Sequence, residues 1–207
     1  MIWTNSKYVG DGDVFLATNK NYKYIDLNLL KKVSEIVFVS DENKYIYDNY
    51  YDKIKDIKLI GVTGTNGKTT TCYLIYQMLN LIGIKTAYIG TIGFYIDDMV
   101  FKLDNTTPEI SLLYNMLYYA KKRKCKVVVM EVSSHALKQD RTYGLLFDSV
   151  LVTNITRDHL DYHKTLKDYI KSKQKLIYQT RGKKICILNK KDKYYKKFKI
   201  KDNNNLI

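Results

Sequence analysis

Residues 61 to 70 read Gly61-Val62-Thr63-Gly64-Thr65-Asn66-Gly67-Lys68-Thr69-Thr70. A short β-like run, Lys58-Leu59-Ile60, precedes them, and an apolar segment with helical spacing follows. Strand, glycine-rich turn and helix in that order make a phosphate-binding loop. The glycines let the backbone curl so that N–H groups point at phosphate oxygens, beside the positive end of the helix dipole. Lys68 supplies a point charge for the β- and γ-phosphates, and the Thr69 hydroxyl is placed to reach Mg²⁺. The ligand class implied is a nucleoside triphosphate, held by Gly64, Thr65, Asn66, Gly67, Lys68, Thr69 and Thr70. One position departs from the usual pattern: Val62 stands where a glycine is common, five residues before Gly67, and Gly61 and Gly64 flank it. An ordinary glycine-rich turn would not need Lys-Thr-Thr directly after its second glycine.

The 207 residues suffice for one large or two small domains, and 45% hydrophobic content suits a packed core. The chain opens without a charged-then-apolar signal pattern and contains no apolar run of membrane-spanning length, so a cytoplasmic protein without a membrane partner is expected. Cys72, Cys125 and Cys186 are far apart and form no Cys-x-x-Cys pair, which reads as buried reduced thiols. The net charge of +14 invites a nucleic-acid reading. Its cations are nearly all lysines spread along the chain, thickest over Lys190–Lys201, and no nucleic-acid motif accompanies them. Solvated lysines explain most of the charge, and their field would also attract anionic nucleotides.

Residues 1–56 hold two short β-like pieces, Asp13–Ala17 and Glu35–Val39, around a helical segment at Leu27–Val33. They read as a small α/β module, with residues 51–56 as a charged connector. From residue 57 the pattern alternates. A strand at 57–62 leads to a helix at about 68–82 closed by Gly83, then a strand near 84–90. A helix is expected near Pro108, with Thr107 as its cap. Val127–Met130 is a buried strand ending in Glu131, and Val150–Val152 is another. A helix at about 166–179 opens with Thr165 and Asp168, a variant capping box, before a last strand at 184–188. The tail from 190 to 207 is polar and expected to fray. The fold class is therefore α/β: a P-loop parallel sheet with helices on both faces, preceded by the small α/β module. Ligands in such sheets bind at the carboxyl ends of the strands.

Two such ends carry chemistry. Glu131 opens Glu131-Val-Ser-Ser-His-Ala-Leu-Lys-Gln-Asp-Arg141, where a carboxylate can hold Mg²⁺ directly or through water. The other segment is Thr153-Asn-Ile-Thr-Arg-Asp-His-Leu-Asp-Tyr-His163. All three histidines, His135, His159 and His163, fall in these two segments, suited to metal ligation or proton transfer. Asp158 and Asp161 read equally as caps or as partners of those groups.

Four segments together resemble the Mur ligases: Thr63–Thr70, Asn105-Thr106-Thr107-Pro108, Glu131–Leu137 and Thr153–His163. The last two are most similar to the members that add the third peptide residue to UDP-N-acetylmuramoyl-L-alanyl-D-glutamate. Asn5-Ser6-Lys7 followed by Gly12–Phe15 is similar to that family's opening, in a shorter module. The resemblance runs over about residues 4 to 192. It implies a 1–56 UDP-substrate module and a truncated 57–207 central domain of an ATP-dependent acid–amino-acid ligase of peptidoglycan synthesis.

By the resemblance, Gly64–Thr70 bind ATP, Thr69 and Glu131 hold Mg²⁺, and His159 ligates a second Mg²⁺. Asn105, Thr106, Thr107, Ser133, Gln139 and Arg141 contact the UDP-N-acetylmuramoyl dipeptide, and Ser6 its uridine end. Lys173 matches a lysine that becomes carbamylated and, as the carbamate, joins Thr69, Glu131 and His159 in the implied metal set; without the resemblance it reads as a solvated lysine among Lys171, Lys173 and Lys175. Lys68, Glu131, His159 and Lys173 form the implied catalytic set. The implied partners are the UDP-muramoyl dipeptide and an amino acid, either diaminopimelate or lysine, with the chain a monomer. The implied chemistry is an acyl phosphate attacked by an amine, and this chain alone is expected not to complete it. A non-catalytic nucleotide-binding relative of the Mur ligases, or another ligase of the Mur or folylpolyglutamate type, is the competing reading.

Overall fold

The computed structural model describes residues 1–198. In chain order the elements are β1 (Ile2–Trp3), β2 (Val14–Ala17), α1 (Leu27–Lys32), β3 (Glu35–Phe38), α2 (Glu42–Ile54), β4 (Lys58–Thr63), α3 (Lys68–Leu81), β5 (Thr86–Gly90), β6 (Gly93–Ile96), β7 (Met99–Phe101), α4 (Ile110–Lys122), β8 (Val127–Glu131), α5 (Ser134–Lys138), β9 (Phe147–Val152), α6 (Leu160–His163), α7 (Leu166–Tyr178) and β10 (Thr180–Leu188). The first three strands form a parallel sheet in the order β1-β2-β3. The larger sheet runs β10-β9-β4-β8-β5-β6-β7. Its first five strands are parallel, as the strand–helix alternation requires, and β6 and β7 extend it as an antiparallel hairpin that the sequence reading left out.

Strand β8 is apolar at every position up to Glu131 because both its faces are covered. Val128 and Met130 pack with residues of α4 and α7, while Val127 and Val129 face α3. The parallel strands β4, β5, β8 and β9 bring Thr63, Gly90, Glu131 and Val152 to one edge of the sheet, where the site lies.

Local signals were followed in several places. The Thr165 hydroxyl accepts a hydrogen bond from Asp168 N at 3.1 Å and starts α7. Gly83 closes the turn after α3 in the left-handed region, at φ +81. All three cysteines are buried and free.

Three local expectations are corrected. Residues 51–54 are the last turn of α2 rather than a connector. Ile46, Tyr50 and Ile54, spaced four apart, are buried in the core that the larger sheet and its helices share, and the charged residues between them face water. Thr107 does not cap α4: that helix starts at Ile110, and the buried Thr107 side chain is engaged at the end of β8. The tail is ordered as far as Phe198, which is buried in the core at the end of a 3-10 turn over Tyr195–Phe198. The remainder of the expected frayed tail, 199–207, lies outside the described residues. Among the described residues no helix is long and apolar enough to cross a membrane.

Candidate nucleotide and acyl-substrate site

The loop from Gly64 to Gly67 joins β4 to α3, as its sequence requires. Gly64 (φ +139) and Gly67 (φ +81) occupy conformations that other residues rarely adopt. Val62, at the position where the common pattern has glycine, is a buried strand residue, so the bend is made two residues later by Gly64. Nothing lies within 4 Å of where a Gly67 Cβ would stand. The loop rests on the segment after β9. Asn154 O accepts from Thr65 N at 2.8 Å, and Asn154 Oδ1 accepts from Asn66 N at 3.1 Å. Thr153 Oγ1 and Asn154 Nδ2 both donate to Asn66 O, at 2.7 and 3.0 Å.

Lys68 Nζ donates to Gly64 O at 3.0 Å and to Thr65 O at 2.9 Å. Lys173 Nζ reaches the same Gly64 oxygen at 2.7 Å. Two lysine nitrogens thus share one carbonyl. Lys173 is fully buried, so burial first, and the nearby Lys68 charge second, hold its pKa well below the ordinary lysine value. Lys68 is lowered by burial too, while Glu131 opposes the shift. Lys171 and Lys175 are exposed; Lys175 pairs with Asp140 at 2.9 Å. The packing therefore singles out Lys173 among the three without recourse to any motif.

Glu131 is a buried carboxylate at the end of β8. Its Oε2 accepts from Thr69 Oγ1 at 3.0 Å, which ties the strand end to the first turn of α3. Its Oε1 accepts from Tyr88 Oη at 2.5 Å and from Thr91 N at 2.9 Å. No three His, Cys, Asp or Glu side chains gather into a metal cage among the described residues. What the site does offer is hard oxygen donors, the Glu131 carboxylate beside the Thr69 hydroxyl. That set fits Mg²⁺, which is commonly held by one or two carboxylates plus phosphate oxygens.

His159 is joined to this group through Tyr169 rather than through Glu131. Its exposed ring lies 6.3 Å from the Tyr169 ring and 4.8 Å from that of His135. Tyr169 in turn bonds Thr65 Oγ1 at 3.0 Å and carries Lys173 Nζ 4.6 Å from its ring centre. His159 sits in the left-handed region at φ +49, just before α6, and Asp158 accepts from its N–H at 2.9 Å. His163 is buried between Ser134 and Ser172, and burial lowers its pKa.

A second wall continues from Glu131. Thr107 Oγ1 donates to Glu131 O at 2.9 Å and accepts from Ser133 N at 3.0 Å. Arg141 Nη1 donates to Thr107 O at 2.7 Å, and Arg141 Nε to Gln139 Oε1 at 2.8 Å. Thr106 Oγ1 lies 3.0 Å from Thr91 Oγ1. Ser133 accepts from Ala136 N and so caps α5. Asn105, Thr106, Thr107, Ser133, Gln139 and Arg141 are thereby brought to one region. Asn105 is exposed, in the loop where Asp104 holds Lys7 at 2.9 Å and Tyr8 at 3.1 Å. That bond carries the Ser6–Tyr8 turn, with Ser6 exposed, to the same loop.

A family model described as the Mur ligase middle domain matches residues 62–207. The chain belongs to the Mur ligase family. It is 45% identical over 147 residues to the UDP-N-acetylmuramoyl-L-alanyl-D-glutamate–2,6-diaminopimelate ligase 1 of Clostridium acetobutylicum, covering 70% of this chain and 30% of that protein. It is 52% identical over 119 residues to the corresponding ligase of Wolinella succinogenes, covering 57% of this chain and 27% of that protein. The chain thus spans about 30% of the length of the curated relatives it matches. Among solved structures, a UDP-N-acetylmuramoyl-L-alanyl-D-glutamate–2,6-diaminopimelate ligase superposes with a TM-score of 0.73 at 25% identity, over 95% of this chain and 44% of that one. The Thermotoga maritima MurF ligase in complex with ADP shares the fold, with a TM-score of 0.67 at 20% identity over 100% of this chain and 49% of that one.

Within this Mur ligase fold, sequence reasoning missed Tyr88, Thr91 and Tyr169 as candidate site residues. It singled out the Thr153–His163 segment for following a buried strand but gave Thr153 and Asn154 no role of their own. Thr91 follows Gly90 at another strand end. Tyr88 carries no local signal, because a tyrosine in a core strand reads as packing.

Proposed function

We propose that the chain provides the ATP site and part of the acyl-substrate site of a ligase that extends UDP-N-acetylmuramoyl-L-alanyl-D-glutamate by its third residue. The observation that carries this reading is the Thr107 hydroxyl, which bridges Glu131 O and Ser133 N. It joins the phosphate-side carboxylate to the wall of Asn105, Thr106, Ser133, Gln139 and Arg141. A substrate carboxylate lying against Arg141 would sit beside the γ-phosphate position. The relatives' names favour 2,6-diaminopimelate as the incoming amino acid. Both ATP and a UDP-linked substrate suit a cytoplasmic site.

The reaction proceeds in two stages. The substrate carboxylate takes the γ-phosphoryl group to give an acyl phosphate, and ADP leaves. The amine of the amino acid then attacks the acyl carbon, inorganic phosphate leaves with the bonding electron pair, and the nitrogen gives up one proton, which the departing phosphate can take. Gly64–Thr70 hold the phosphates with backbone N–H groups, and Lys68 leaves its two carbonyls to meet the transferring group. Preorganised charge of this kind is usually the largest catalytic contribution. Mg²⁺, held by Thr69 and Glu131, would neutralise the phosphate charge, and the exposed His159 ring would ligate a second ion. Lys173 fits carbamylation, because a buried amine with a depressed pKa is the neutral nucleophile that CO₂ needs: the nitrogen bonds to carbon and releases one proton. The 1–56 part serves the UDP end. A cavity of about 930 Å³ at the carboxyl end of its sheet, lined by Thr18, Lys20, Tyr22, Phe38 and Asp41, has room for it.

Calorimetry tests this reading. Mg·ATP should bind the wild type, and Lys68→Ala should weaken binding by roughly 10- to 150-fold, the loss of a charge-assisted contact of about 1.5–3 kcal/mol. UDP-N-acetylmuramoyl-L-alanyl-D-glutamate should then bind the nucleotide-loaded chain. Equal ATP affinity in wild type and variant would overturn the assignment.

A further inference from the structure

Tyr88 lies in the middle of β5 and is fully buried. A buried phenol needs a hydrogen-bond partner, and here the partner is the Glu131 carboxylate. The four donors around that carboxylate divide two and two between its oxygens, but the two pairs differ in kind. Oε1 receives Tyr88 Oη at 2.5 Å and Thr91 N at 2.9 Å. Oε2 receives the hydroxyls of Thr69 at 3.0 Å and Thr91 at 3.2 Å. The donors on Oε1 cannot turn away. One is a backbone amide, and the other belongs to a ring wedged among Tyr73, Tyr76 and Tyr95, with centroids 5.8, 6.2 and 5.6 Å distant. The donors on Oε2 are threonine hydroxyls, whose oxygens move with rotation about the Cα–Cβ bond. Gly90 leaves room for the pair, since a Cβ there would stand 2.2 Å from both Glu131 Oε1 and Tyr88 Oη.

We propose that Tyr88 is a positioning residue that locks Glu131 through Oε1, so that Oε2 alone is presented to Thr69 and to a bound cation. The proposal rests on the reading of Glu131 and Thr69 as the Mg²⁺ side of the nucleotide site. The consequence concerns ion choice. Mg²⁺ demands near-ideal octahedral geometry, whereas Ca²⁺ accepts carboxylates through one oxygen or two. A carboxylate locked through one oxygen favours the smaller ion. Removing the phenol hydroxyl leaves Thr91 N as the single fixed donor and lets the carboxylate turn.

The experiment measures ATP affinity by calorimetry in EDTA, in Mg²⁺ and in Ca²⁺ for wild type, Tyr88→Phe and Tyr95→Phe. Tyr95 belongs to the same aromatic cluster, and its hydroxyl is not bonded to Glu131. Tyr88→Phe should cut the Mg²⁺ enhancement of ATP affinity about tenfold, the low end for a hydrogen bond to a charged group. It should leave the affinity in EDTA unchanged and raise the ratio of Ca²⁺ to Mg²⁺ enhancement. Tyr95→Phe should behave as wild type. Gly90→Ala, which keeps the phenol but pushes it from Glu131, should reproduce the loss. The proposal is overturned if Tyr88→Phe or Gly90→Ala keeps the wild-type enhancement and ion ratio, or if Tyr88→Phe and Tyr95→Phe change alike. If the wild type shows Mg²⁺-dependent binding that Lys68→Ala weakens while Tyr88→Phe does nothing, this proposal falls and the nucleotide site stands. If the wild type shows no Mg²⁺-dependent binding, both fall.

Discussion

Gly64→Ala should damage the phosphate loop far more than Gly67→Ala, although both glycines have positive φ. At Gly64 the backbone sits at φ +139. Holding any other residue in such a region costs about 1–3 kcal/mol. The added Cβ would also stand 1.9 Å from Thr153 Oγ1 and 3.1 Å from Asn154 O. Thr153 cannot simply yield. Its hydroxyl donates to Asn66 O at 2.7 Å and its N–H to Thr63 O at 3.0 Å. Turning the hydroxyl away forfeits one hydrogen bond, about 0.5–1.5 kcal/mol. The two costs together come to roughly 1.5–4.5 kcal/mol. For a chain of this size each kcal/mol moves the melting temperature by about 2–4 °C, so a central value near 3 kcal/mol lowers it by roughly 6–12 °C. At Gly67 the conformation is φ +81 and nothing stands within 4 Å, so alanine meets only the left-handed penalty of about 1–2 kcal/mol. Thermal and urea melts of both variants without nucleotide make the comparison. Gly64→Ala melting no lower than Gly67→Ala would refute the argument that Thr153 and Asn154 fix the loop's shape.

Three further outcomes follow from the same geometry. Lys173→Met should be more stable than wild type at neutral pH, with the gap closing as pH approaches 10. The folded-state pKa of Lys173 is depressed, so below the ordinary lysine value the unfolded chain binds the extra proton, and wild-type stability rises with pH across that window; urea melts of the pair from pH 7 to 10 that stay parallel would contradict this. Thr107→Val keeps the shape but strips partners from Glu131 O and Ser133 N, at a cost of about 1–3 kcal/mol with weaker binding of the UDP-muramoyl dipeptide. Unchanged melting and substrate affinity would show the bridge to be dispensable. Phe198→Ala should cost about 3–5 kcal/mol as a large-to-small core change, and a surface-sized effect below 0.5 kcal/mol on the order of ordinary exposed sites would mean that the 3-10 turn does not dock.

What the sequence determined by itself was written in short-range pattern, although not every such pattern was read: the β6–β7 hairpin and the last turn of α2 are local too. The loop Gly64–Thr70, the alternation of strands and helices, the apolar run ending in Glu131 and the Thr165 cap each follow from residues within one or two turns of one another. Turn chemistry and hydrophobic period are local properties, and at these positions the structure kept them. The family could be recognised for the same reason, because its motifs are contiguous. Tertiary structure decided which of the chemically similar side chains are used. Lys171, Lys173 and Lys175 share a helix, but only the middle one is turned under Gly64, where burial and the Lys68 charge alter its chemistry. Thr107 is a residue type that caps helices and serves instead as a bridge, because it is buried with its hydroxyl bonded at the end of β8, three residues before the helix begins. His159, from a segment that pointed to metal, is linked to the phosphate loop through Tyr169 and not through Glu131. Tyr88 meets Glu131 across 43 residues of sequence. Hydrogen-bond partners and desolvation are set by which strand lies beside which, a property of the whole sheet that no window of sequence contains.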